Sequence, residues 1–117
     1  MSNFQTPPLQ ALRIPEGWRV DYNNALYEID INEGLIPQAE RWWLFKQDML
    51  QMTHEIRNRL LDLGFLPEGD FENVSYKLVL YEGDFNGRLL HTFRTRDRKR
   101  LVAEIERILA EVTRGAL

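Results

Sequence analysis

One stripe of apolar residues near the C-terminal end constrains this chain more than any other feature. Leu101, Val102, Ile105, Ile108, Leu109 and Val112 recur at spacings of three and four, which places them along one side of a helix. Asp97 stands where an N-cap accepts orphan backbone N–H groups, and Gly115 stands where a left-handed C-cap ends the helix. Arg100/Glu104 and Arg107/Glu111 are four apart on the outer surface, the spacing of helical ion pairs. A helix with one apolar face must bury it against a second layer, and the rest of the chain offers strands for that layer.

Val74 to Tyr81 is rich in β-formers, with Val74, Tyr76, Leu78 and Leu80 on one face and Val79 and Tyr81 on the other. Arg88 to Thr95 returns with Leu89, His91 and Phe93 on one face, and Asn86-Gly87 between the two runs is a two-residue turn signal. Near the N-terminus, Trp18, Val20 and Tyr22 alternate with Arg19 and Asp21. Tyr27, Ile29 and Ile31 alternate with Glu28 and Asp30, and Asn23-Asn24 between these runs predicts another hairpin.

The middle of the chain supports two readings. Trp42, Phe45, Met49, Met52, Ile56, Leu60 and Leu63 keep a helical period, which predicts one helix from Pro37 to Leu63 closed by Gly64. Against this, Leu61, Leu63 and Phe65 alternate with Asp62 and Gly64 as far as Pro67, a strand pattern with His54 to Asn58 as the turn before it. The segment Pro37–Gln47 is helical on either reading. The expected class is α+β: an antiparallel sheet of four to six hairpin-connected strands packed against the C-terminal helix.

Residues 1–14, with Pro7-Pro8 among small polar residues, read as an extended N-terminal tail, with Leu12 and Ile14 pinning its end. Residues 15–117 read as a single domain that opens at the turn Pro15-Glu16-Gly17. A chain of 117 residues is long enough to bury about two-thirds of its unfolded surface without staples. It has no cysteine, which excludes disulfides, thiol nucleophiles and thiolate metal sites. No basic segment followed by an apolar stretch opens it, and no apolar run approaches the ~20 residues of a membrane helix. The expectation is a soluble cytoplasmic protein without a membrane partner.

Catalytic sets are incomplete. The serines are Ser2, in the tail, and Ser75, within a strand, and neither sits in a Gly-flanked elbow near a histidine. His54 and His91 do not share metal-ligand spacing, and the glycines stand singly rather than in a phosphate-binding loop. The acids Glu68, Asp70, Glu72, Glu82 and Asp84 do not fit the twelve-residue calcium loop, so solvated turn residues are the simpler reading. The expectation is no enzyme, no metal and no cofactor.

Three features point to binding. Glu68-Gly69-Asp70-Phe71 is repeated as Glu82-Gly83-Asp84-Phe85, so two acidic, aromatic-bearing turns flank one strand. Trp42 and Trp43 are adjacent and cannot share a face, so one of them lies nearer the surface, where a Trp anchors interfaces. Arg94, Arg96, Arg98, Lys99 and Arg100 concentrate positive charge at the start of the final helix, where the macrodipole disfavours it. The net charge is −3, and no aromatics interleave with the basic run, so nucleic acid is an unfavoured partner.

Arg13-Ile14-Pro15-Glu16-Gly17-Trp18, Tyr22-Asn23, Tyr27-Glu28-Ile29-Asp30, Gln47-Asp48-Met49-Leu50-Gln51, Leu61-Asp62-Leu63-Gly64-Phe65-Leu66-Pro67 and Phe93-Arg94-Thr95-Arg96-Asp97 form a familiar set. With them the chain resembles, over roughly residues 12–113, a group of small uncharacterised bacterial proteins, some of which look like immunity proteins of polymorphic toxin systems. Phe65-Leu66 stands where that group often has Trp-Tyr. The resemblance implies that residues 38–47 form a short helix and 48–67 a hairpin, and it implies binding without a reaction. The expected function is a non-catalytic protein-binding module, immunity-like, that blocks a toxin domain by occupying its surface. Its binding residues are drawn from Trp42, Trp43, Glu68, Asp70, Glu82 and Asp84. The alternative is a small regulatory or scaffold protein that uses Arg94, Arg96, Arg98 and Arg100 to hold an acidic partner or nucleic acid.

Overall fold

The computed structural model describes residues 7–24, 26–30, 48–66 and 75–117. Their elements are β1 (Trp18–Asn23), β2 (Leu50–His54), β3 (Arg59–Leu66), β4 (Ser75–Glu82), β5 (Leu89–Thr95) and α1 (Arg98–Arg114). The five strands form one antiparallel sheet in the order β1-β2-β3-β4-β5, and α1 covers one face. The α+β class is as expected. The helix predicted for Pro37–Gln47, together with Trp42 and Trp43, lies outside the described residues.

Side-chain alternation sets the two faces. Leu50, Met52, Leu61, Leu63, Phe65, Tyr76, Leu78 and Leu80 point to the inner face and are buried with Leu101, Ile105, Ile108, Leu109 and Val112 of α1. The helix termini follow their caps. Asp97 accepts N–H bonds from Lys99 and Arg100, and Gly115 takes the left-handed conformation at φ 86° while its N–H caps the last turn. The ion pairs on α1 are three apart rather than four: Glu104–Arg107 and Glu111–Arg114.

The middle segment is a hairpin, not a long helix. Burial across Leu50–His54 alternates with period two, and the chain reverses through Glu55–Asn58, where the Asn58 N–H donates to the Glu55 carbonyl. Asn58 adopts φ 59°, a region that Asn tolerates better than most residues. Ile56, which completes the helical period in sequence, sits at the tip of this turn and is 87% exposed.

Among the described residues the hairpin predicted from Trp18–Tyr22 and Tyr27–Ile31 does not form, and Ile31 lies outside them. β1 pairs with β2 instead, and Tyr27 forms an isolated bridge to Leu9. Two local interactions account for this. The Asn23 side chain accepts the Leu26 N–H and bends the chain away, and Leu26 is then completely buried in the core. On the other side, Asp21 takes hydrogen bonds from Thr53 and Gln51 of β2.

The β4–β5 hairpin forms, with two departures from expectation. Its turn runs from Asp84, which accepts from the Gly87 N–H, and the positive φ belongs to Gly83 rather than to Asn86-Gly87. A register shift between Leu80 and Tyr81 puts Leu89 opposite Tyr81 on the outer face, where it is 50% exposed, while Leu90 packs on the core. Leu89 therefore does not share a face with His91 and Phe93.

Residues 7–14 lie against the domain: Gln10 N–H donates to the Leu26 carbonyl, Arg13 N–H to Glu106, and Leu12 packs on the core. Among the described residues no helix is long and apolar enough to cross a membrane.

Candidate functional site

The outer face of the sheet, opposite α1, is polar on β1 and β2 and carries the rings of Tyr81 and Phe85 where β4 enters its turn toward β5. On β1 and β2 the polar groups are satisfied by one another. Asp21 accepts from Thr53 Oγ1 at 2.6 Å, Arg19 Nε at 2.8 Å and Gln51 Nε2 at 3.1 Å. Burial works against the charge of Asp21, yet these three bonds hold its carboxyl below the usual range.

Asp62, on β3, is in a different position. It stands between Gln51 of β2 and Val79 of β4, and the bond it accepts, from Tyr22 Oη, is long at 3.5 Å. No cation pairs with it among the described residues. Burial, followed by the nearby Asp48 carboxylate, pushes the Asp62 carboxyl up to about 6, and the Tyr22 hydroxyl offsets only part of this. The same burial and the same acids raise the Tyr22 phenol.

Asp62 and Asp48 open onto a hollow of about 180 Å³, floored by Gly64 and Val79 and walled by Lys77, Tyr81 and Phe85. Strand alternation explains the floor, because Gly64 has no side chain to fill the space above it. The aromatic wall comes from the β4–β5 turn. Gly83 at φ 82° swings the chain so that Phe85 folds back onto Tyr81, edge to face, with ring centroids 5.5 Å apart. Phe85 remains 53% exposed. Lys77 makes no ion pair with either acid and stands opposite Arg94 of β5.

Of the residues predicted to bind, Trp42, Trp43, Glu68 and Asp70 lie outside the described residues. Glu82 ends β4 and meets Arg88 at 3.3 Å, and Asp84 caps its own turn by accepting the Asn86 N–H. Both border the hollow in sequence, since Tyr81 and Phe85 flank them. In the basic run, Arg94 and Arg100 are exposed, Arg96 follows β5, and Arg98 turns inward. The Arg98 guanidinium bonds Asp30 at 2.9 Å and also the Gln10 side chain, so it is a brace between the N-terminal stretch and α1.

Neither histidine joins the hollow. His54 is 4% exposed, lies edge-on to Trp18 and accepts the Arg57 N–H at Nδ1. His91 Nε2 meets Glu104 of α1 at 2.7 Å. Among the described residues no three His, Asp or Glu side chains converge as metal ligands.

Sequence reasoning missed Asp62, Asp48, Lys77, Tyr81 and Phe85 as a unit. One signal was present: Asp62 is a single carboxylate inside Leu60-Leu61-Asp62-Leu63, where the only polar group in an apolar run must face outward or be paired. Comparison of the chain with protein-family models, with curated proteins and with solved structures finds no match in any of the three.

Proposed function

We propose that this chain is a non-catalytic protein-binding module, immunity-like in its action, that engages a basic partner protein through the outer sheet face around the hollow. The observation that carries this reading is the pairing of an exposed aromatic, Phe85, with two acids, Asp48 and Asp62, that have no cationic partner among the described residues. Aromatic anchors supply affinity once desolvated, and uncompensated acids steer a partner of opposite charge. The net charge of −3 works in the same direction.

Two features weigh against the other readings. The basic run is a poorer interface, because Arg98 is committed to Asp30 and Gln10. A half-buried acid with a raised pKa is also what a general acid requires, but Asp48 beside it is exposed, and a site open to water favours recognition over proton transfer.

The test is growth protection. The chain is co-expressed with the product of the gene directly upstream of it; that product is expected to be a toxin, and the chain to give protection that fails when Phe85 is changed to Ala. A toxin left equally active in the presence of the chain, or hydrolase activity of the chain alone that disappears in Asp62→Asn, refutes the reading.

A further inference from the structure

Building on the proposed binding role, we infer that the hollow is a receptor for one cationic side chain, a lysine or arginine donated by the partner protein, held between Asp62 and the Tyr81/Phe85 rings.

The charge balance selects this occupant. Among the described residues two carboxylates and one ammonium line the hollow, and the ammonium of Lys77 pairs with neither acid, so these groups together keep a net negative charge. Asp62 has one oxygen bonded at 3.5 Å by a neutral hydroxyl, which leaves acceptor capacity for a charged donor. The wall fits the same occupant. Tyr81 and Phe85 present ring surface beside the acids, and a cation gains from aromatic faces as well as from a carboxylate. Gly64 and Val79 supply a smooth, low floor against which an aliphatic stem can lie, as long cationic side chains require. Among the described residues an anionic group would meet Asp48 and Asp62 with Lys77 alone in its favour. A neutral apolar group would leave the Asp62 carboxylate without a partner and drier than before, which is costly.

The groups facing Asp62 make the recognition proton-linked. They are Asp48 before β2, Tyr22 on β1, Gln51 on β2 and Lys77 on β4. With the Asp62 carboxyl raised to about 6, a bound cation must displace its proton at lower pH, so affinity increases as pH is taken up through that value.

The experiment follows backbone amide NMR signals of the full chain during titration with Nα-acetyl-lysine methylamide and Nα-acetyl-arginine methylamide. The norleucine and citrulline counterparts are neutral controls, and the glutamate counterpart is the anionic one. The cationic compounds are expected to shift the Asp62, Gly64 and Phe85 amides saturably, more strongly above pH 6 than below it. Asp62→Asn, which keeps an acceptor for Tyr22, is expected to weaken this by about tenfold or more. Equal shifts from the neutral compounds, stronger shifts from the glutamate compound, or unchanged affinity in Asp62→Asn each overturn the inference. The two proposals fail separately. Toxin protection that depends on Phe85 but not on Asp62 leaves the binding module standing and removes the cation receptor. Cation binding without protection does the reverse.

Discussion

His91 Nε2, on the last strand, and Glu104 Oε2, on the helix, meet at 2.7 Å and join the two layers at the border of the core. Arg107 completes the arrangement, with Nε 2.6 Å from the other oxygen of the same carboxylate. The Arg107 bonds, opposed by burial and aided by His91, hold the Glu104 carboxyl below its ordinary 4.5. A lowered carboxyl pKa contributes stability that is present above the unfolded value and is lost as pH falls through the folded one. Glu104→Gln is therefore expected to cost about 1–2 kcal/mol near neutral pH. The parent and the variant should converge as pH drops well below 4.5 in urea melts. A gap that stays constant across that range would show that the charge contributes nothing.

Gly17 and Gly115 both hold positive φ, at 99° and 86°, but alanine should be tolerated unequally at the two sites. A Cβ at Gly17 would come within 2.4 Å of His54 Nε2, and His54 is held in place by Trp18 and by the Arg57 N–H. At Gly115 the nearest atoms, at 3.5 Å, are the tip of Arg57. Gly115→Ala is expected to cost about 1 kcal/mol, the penalty of the left-handed backbone alone. Gly17→Ala should cost about 2–3 kcal/mol, because the steric overlap adds to that penalty. Equal melting midpoints for the two variants would place the His54 ring elsewhere.

These differences also mark how far the sequence could be read. The caps of α1 and the core stripe from Leu101 to Val112 were legible because helix signals are local. The β4–β5 pairing was legible for the same reason, but not its register shift, which depends on how Leu90 reaches the core. The partner of β1 was not legible. Tyr27 and Ile29 alternate as a strand does, and only the burial of Leu26 and the bonds from Thr53 and Gln51 to Asp21 decide for β2. In the middle segment Met49, Met52, Leu60 and Leu63 satisfy a helical count because residues on both faces of a hairpin are buried here. The hollow was out of reach, since its acids come from β3 and the approach to β2 while its rings come from β4 and the turn after it.

The core contrast between Ile105 and Leu89 follows from the register shift. Ile105 is completely buried under the sheet, and Ile105→Ala is expected to lose about 2–5 kcal/mol. Leu89, half exposed on the outer face, should lose less than about 1 kcal/mol on the same truncation. Comparable losses at both positions would return Leu89 to the inner face and remove the shift.

Asp62 sets stability against recognition. Its folded carboxyl titrates at about 6 against an ordinary 3.8, so between those values the folded chain holds the proton more tightly than the unfolded chain does. Stability is then greatest below 3.8 and declines as pH rises through about 6, the opposite of the Glu104 case. Solvent reaches this half-buried group and reduces the penalty to about 1–2 kcal/mol. Asp62→Asn removes the charge while preserving the acceptor for Tyr22. The variant is expected to unfold at higher urea than the parent near neutral pH, and at the same urea below pH 3.8. A variant that is less stable near neutral pH would mean that Asp62 has an internal cationic partner, and that the negative charge in the hollow is already answered. A carboxylate that destabilises its own fold is instead what a site reserved for an external cation requires.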